Sequence, residues 1–116
     1  MPGKPERGFA VNTDYNVIIS DEAVRDLRRY IDYLINVKQN LQAALNVMDD
    51  YDDTVDALSK VAGSLKMCDS PNMKKRGLRR INFFRHNYFM LFRVDGQNAY
   101  VTNIFHGLED ADNKMR

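Results

Sequence analysis

Apolar residues follow two different periods along this chain, and the change from one to the other divides it. Residues 15–19, YNVII, form a short β-rich run that predicts a strand. Ser20 follows as a helix N-cap, with Asp21 and Glu22 in the first turn, where the helix dipole favours acids. Ala23, Leu27, Ile31 and Leu34 then share one helical face, with Tyr30 and Ile35 at its margins. Residues 36–40 interrupt the pattern, and Asn40 is a second candidate cap. Leu41, Ala44, Leu45, Met48, Val55, Leu58, Ala62 and Leu65 keep the i, i+3, i+4 rhythm of a longer helix. So short a connection predicts an antiparallel helical hairpin. Gly63 weakens the second helix near its end, and Pro71 and Asn72 predict a loop.

Beyond that loop the period becomes that of a sheet. Residues 78–84, 88–94 and 99–105 predict three strands. Arg85, His86 and Asn87 make a tight turn between the first two, and Asp95-Gly96 is a hairpin signal before the third. The order is strand, helix, helix, strand, strand, strand. It predicts an α+β fold, with the helical hairpin packed on one face of a small, mostly antiparallel sheet.

With 116 residues, the chain has room for one modest core. Residues 1–13 hold two prolines and two glycines and read as a flexible lead-in; residues 14–110 form the single domain, and 111–116 a polar tail. No apolar run approaches the roughly 18 residues of a membrane helix, and the N-terminus lacks the apolar stretch of a signal peptide, so no membrane partner and a cytoplasmic location are expected. One cysteine, Cys68, excludes an internal disulfide and reads as a bystander. Two separated histidines make no metal-ligand motif and no Gly-rich phosphate loop is present, so neither a metal nor a cofactor is expected.

Charge changes the picture more. The net charge is only +1, yet residues 70–94 carry seven Lys or Arg and no acid. Such a local excess implies a polyanionic partner. Lys74, Lys75 and Arg76 fall in the expected loop and suit phosphate contact, unless they are simply solvated. Arg79 and Arg80 point to opposite faces of their strand, and the apolar company of Arg79 favours Arg80 facing outward. Arg93 interrupts the apolar run FMLFRV, where a charge needs an open face or an ion-pair partner. His86 lies beside Arg85 in a turn and is expected to be solvated; His106 sits where the last strand ends, fit either for proton transfer or for fixing the strand end by hydrogen bonding. Asp49, Asp50, Asp52, Asp53 and Asp56 cluster in the second helix and read as a solvated face.

Three segments, EAVRDLRRYIDYL, NYFMLFRVDG and VTNIFHGLED, in this order and spacing, resemble the RelE/ParE superfamily of bacterial toxins over roughly residues 15–110. These are the toxic halves of type II toxin–antitoxin pairs. The resemblance implies a cognate antitoxin as partner. It also implies one of two activities: ribosome-dependent mRNA cleavage in the A site, as in RelE-like members, or inhibition of DNA gyrase, as in ParE-like members. An inactive homologue that only binds antitoxin is a third reading. On the cleavage reading, taken first, the chain is an endoribonuclease whose partners are the ribosome and mRNA. His106, Arg93 and Arg80 would then be catalytic, with Lys74, Lys75, Arg76, Arg79, Arg85 and His86 binding nucleic acid. The chain departs from RelE-type sites: it lacks their Lys-x-Lys with spaced arginines, Gly107, Leu108, Glu109 and Asp110 stand where an Arg-rich tail is expected, and no tyrosine follows Tyr100.

Overall fold

A computed structural model of the chain describes residues 14–115; the expected lead-in over residues 1–13 lies outside the described residues. The elements are strand β1 (Asn16–Ile19), helix α1 (Asp21–Asp32), helix α2 (Leu41–Val61), helix α3 (Pro71–Lys75), strands β2 (Arg79–Asn82), β3 (Tyr88–Asp95) and β4 (Asn98–His106), and helix α4 (Ala111–Lys114). A π-helical turn, Tyr33–Val37, extends α1, and a 3-10 turn, Ala62–Ser64, ends α2. The strands form one mixed sheet in the order β1-β4-β3-β2, with only the β1–β4 pair parallel. This is the expected α+β arrangement.

The caps form where the sequence puts them. Ser20 Oγ accepts from the Ala23 N–H and donates to the Thr102 carbonyl, both at 3.0 Å, so it starts α1 and ties it to β4. Asn40 Oδ1 accepts from the Ala43 N–H at 3.0 Å. Gly96 takes φ +61°, the left-handed conformation that the β3–β4 hairpin turn requires.

The inner face of the sheet carries Ile81, Met90, Phe92, Ala99, Val101 and Ile104, packed against Ala23, Val47, Leu58 and Ala62 of the helical layer. Val101 and Ile104 are three residues apart and would face opposite ways in a regular strand. A bulge resolves this: Leu91 stands opposite Asn103 and Phe92 opposite Val101, so Thr102 is skipped and both apolar side chains turn inward.

Several boundaries differ from expectation. Residues 70–76 are not a plain loop: Ser70 caps α3, Pro71 occupies its first turn, and Lys74 and Lys75 lie in the helix with Arg76 at its C-cap. The tail includes a helical turn, α4, capped by Asp110. Met73 and Ala111 bring these two short helices onto the outer face of the sheet, over Leu78, Phe89, Leu91 and Phe105. The outer face is therefore covered in part, over this apolar cluster. The first C-terminal strand is also shorter than expected, because residues 83–87 leave the sheet for a contact with α2.

In α2 the apolar residues occupy two adjoining lines. The sheet takes the line through Ala44, Val47, Thr54 and Leu58. Leu41, Leu45 and Met48, on the other line of the same helical rhythm, stand 61%, 45% and 45% exposed. Leu58→Ala is expected to cost about 2–5 kcal/mol as a buried truncation, and Leu45→Ala less than about 1 kcal/mol. Urea midpoints of the two variants against the parent check the contrast.

Candidate functional site

Strand alternation sorts the basic residues between the two faces. Arg80 pairs in register with Leu91, and Arg93 lies two residues beyond Leu91 on the same strand. Both therefore project from the outer face. The Arg80 guanidinium lies 3.7 Å from the Phe89 ring centroid, and that of Arg93 lies 4.8 Å from the Tyr100 centroid. The face around Arg93 is open, and among the described residues Arg93 has no carboxylate partner. Arg79 turns the other way. Its Nη1 donates to the carbonyls of Gly63 at 3.1 Å and Leu65 at 2.6 Å, closing the end of the helical layer.

His106 is on the opposite face from these arginines. It pairs in register with Tyr88, which packs against the inner core, and the two rings meet edge to face at 5.1 Å. Its backbone N–H donates to Tyr30 Oη at 3.1 Å and to Glu109 Oε1 at 2.9 Å, and its Nδ1 accepts from the Leu108 N–H at 3.2 Å. The Tyr30 hydroxyl donates to Glu109 Oε1. Glu109 is thus no free tail acid; Lys114 also pairs with it at 3.4 Å. Burial pushes the Tyr30 phenol well above its ordinary value, with the hydrogen bond to Glu109 adding to it. Burial would also raise Glu109, but hydrogen bonds from Tyr30, the His106 N–H and Lys114 outweigh it and hold the carboxyl below its usual range.

His86, expected to be solvated, is half-buried against α2, Arg85 is exposed but ion-paired, and the acidic run is not wholly a solvated face. Asp50 is fully buried on α2. Its Oδ1 accepts from the Phe84 N–H at 3.0 Å, its Oδ2 from the Arg85 N–H at 2.8 Å, and His86 Nδ1 lies 2.8 Å from Oδ2. The Arg85 guanidinium reaches Asp53 at 2.7 Å and Asp50 at 3.7 Å. Burial would raise the Asp50 carboxyl, but the bonds from His86, Arg85 and Phe84 hold it below the ordinary value. Asp50, like Asp26 on α1, is a carboxylate on the buried line of a helix. That spacing, three residues after Val47 and three after Ala23, is the signal by which the sequence could have revealed them.

Two depressions open on the outer face. One, of about 500 Å³, lies beside Cys68, Arg80, Phe89 and the acids Asp110 and Asp112. Burial raises the Cys68 thiol above its ordinary value. The other, of about 420 Å³, is bordered by Arg76, Arg93, Thr102 and Asn103. Among the described residues no cluster of His, Cys, Asp and Glu could hold a metal ion, and no helix is long and apolar enough to cross a membrane.

The site thus sits on a helical hairpin packed against a four-stranded mixed sheet, with Arg80 and Arg93 on the outer face. The family model described as "ParE toxin of type II toxin-antitoxin system, parDE" matches residues 17–111. The chain belongs to the ParE toxin family. A solved chain of the chromosomal ParDE toxin–antitoxin system from P. aeruginosa shares the fold, with a TM-score of 0.66 and 22% sequence identity, covering 82% of this chain and 98% of that one. No curated protein matches the sequence.

Because Asp50 is held below its unfolded value, its contribution to stability is present above the ordinary carboxylate range and is lost as pH falls below roughly 4. Asp50→Ala is expected to lower stability at pH 7 by about 3–5 kcal/mol. It should also make the acid limb of the urea-midpoint profile shallower. Some limb remains, since Glu109 is depressed as well. A variant profile parallel to the parent's between pH 3 and 7, taken as a window of roughly that span, would remove Asp50 from this role.

Proposed function

We propose that the chain is a growth-inhibiting toxin that acts on DNA gyrase by binding and is neutralised by a cognate antitoxin. The observation that carries this reading is the ParE family match across residues 17–111. Inhibition by binding needs no base and acid aligned on a scissile phosphate.

Cleavage of RNA through its 2′-OH does need them, together with cations on the same phosphate. His106 faces the helices, whereas Arg80 and Arg93 project from the other side of the sheet. One imidazole nitrogen is already accepting the Leu108 N–H. A phosphate held by the two arginines is therefore out of reach of that imidazole. The RNA-cleavage reading taken first from the sequence has less support than gyrase inhibition.

The test uses purified toxin in two assays side by side. With gyrase, ATP and relaxed plasmid, supercoiling is expected to fall as toxin is added and to recover when antitoxin is included. With translating ribosomes and a reporter mRNA, primer extension is expected to find an intact message. Normal supercoiling together with ribosome-dependent cuts would reverse the assignment.

A further inference from the structure

The cations of residues 70–94 divide into two groups by what they touch. Arg79 is spent on backbone carbonyls and Arg85 on Asp53 and Asp50. The other five, Lys74, Lys75, Arg76, Arg80 and Arg93, are all exposed and have no carboxylate partner among the described residues, although Arg76 Nη1 donates to the Met115 carbonyl and Arg80 Nε to Asn82 Oδ1. Elsewhere on the chain Arg29, Lys60, Lys66 and Lys114 each pair with an acid. Arg25, Arg28 and Lys38 of the helical layer are also exposed without an acid partner, so among the described residues five of the eight such cations fall within residues 70–94. Arg80 and Arg93 stand on the outer face of the sheet, Lys74 and Lys75 on the helix whose Met73 packs on that face, and Arg76 shares a depression with Arg93.

The acids nearby are engaged or lie to one side. Glu22 accepts from the Asn103 amide at 3.0 Å. Asp112 accepts from Ser70 Oγ at 2.5 Å, and Asp110 caps α4. Asp69, Asp110 and Asp112 border the depression beside Arg80, whereas Glu22 is the one acid lining the depression of Arg76 and Arg93, where the two cations outnumber it. Thr102 and Asn103 add polar groups within the same depression.

What this surface lacks decides which polyanion it suits. Single strands are held by exposed rings on which bases stack, as well as by cations. Here Phe89 and Phe105 are buried in the outer cluster, and Tyr100 has the Arg93 guanidinium against its ring. The exposed ring of Phe84 belongs to the loop held by Asp50, not to the sheet. Cations without stacking platforms fit a regular array of phosphates. We propose that the outer face binds duplex DNA through its backbone, with Lys74, Lys75, Arg76 and Arg93 making the phosphate contacts. This goes beyond gyrase inhibition and does not rest on it, because the duplex is tested without the enzyme.

The experiment is fluorescence anisotropy of a labelled duplex of about 20 base pairs, titrated with the free full-length toxin at several salt concentrations. Four contacts predict a slope of about −3 to −4 in log K against log [salt]. The triple variant Lys74→Gln, Lys75→Gln, Arg93→Gln is expected to lose more than ~10-fold in affinity and to retain a slope of about −1. Arg93→Lys keeps its charge and is expected to keep the slope. A control triple, Arg25→Gln, Arg28→Gln, Lys38→Gln, removes the same charge from the helical hairpin and is expected to change affinity less than ~2-fold. If either triple fails to fold by circular dichroism, the single variants Lys74→Gln and Lys75→Gln, each lowering the slope by about 1, carry the test. The proposal is overturned by an absence of salt-dependent binding, by equal losses in the two triples, or by tighter binding of single-stranded RNA of the same length. Displacement of the duplex by polyglutamate at equal charge would likewise overturn it and assign the face to an acidic protein segment.

Discussion

Strand β4 outlasts its neighbour β1, and much of the structure follows from that. The parallel pairing ends with Ile19 opposite Val101, while β4 runs on to His106. The exposed edge would leave backbone groups unsatisfied in a buried setting, at a cost comparable to lost hydrogen bonds. Helix α1 supplies side chains in place of a strand. Ser20 takes the Thr102 carbonyl, Asp26 the Ile104 N–H at 2.9 Å, and Tyr30 the His106 N–H. These three positions lie six and four residues apart in sequence order, a spacing that follows the rise of the helix along the strand. The helix is thereby fixed in register against the sheet by polar contacts as well as by Ala23 and Leu27. His106 is the end of this seam, which is why its surroundings are those of a strand terminus.

Helix α2 repeats the device at the other end of the sheet. Asp50 takes two consecutive N–H groups of the β2–β3 connection and the imidazole of His86. A buried carboxylate is tolerated only when such donors replace its hydration. The consequence reaches the surface. With its backbone held from below, the loop displays Phe84 60% exposed in a defined position. Both helices thus carry one acid on the line that faces the sheet, and each acid satisfies backbone that the sheet leaves over.

That arrangement also explains what was legible in the sequence. The change of period, the two caps, the hairpin turn and the outward Arg80 are local properties, readable from alternation and turn chemistry. Asp50 was hidden by its company, since five nearby aspartates read together as a solvated face although only one falls on the Val47–Thr54–Leu58 line. Helices α3 and α4 span five and four residues. Helices that short have little stability of their own; they form because Met73 and Ala111 find the apolar outer face, a tertiary contact that no local window contains. Leu41, Leu45 and Met48 keep the same helical rhythm, but the sheet engages the adjoining line. The proposed catalytic grouping of His106 with Arg80 and Arg93 needed the strand registers and the bulge at Thr102, neither of which is written in residue types.

The outer layer has a further effect on the charge it carries. Arg80 lies over a buried Phe89, and Arg93 over Tyr100, so each guanidinium stands within cation–π distance of an aromatic ring. A cation held this way keeps its N–H groups around the rim available to solvent or an anion, while its long stem covers apolar surface. Met73 and Leu78 close the rest of the outer cluster and set α3, with Lys74 and Lys75, onto the same side. The apolar patch beneath therefore positions the cations above it. The acids Asp110 and Asp112 serve α4 and Ser70 at the opposite margin, where they limit the positive field instead of cancelling it. A protein with a net charge of +1 thus gathers several exposed cations on one side of its sheet through the order in which its strands alternate.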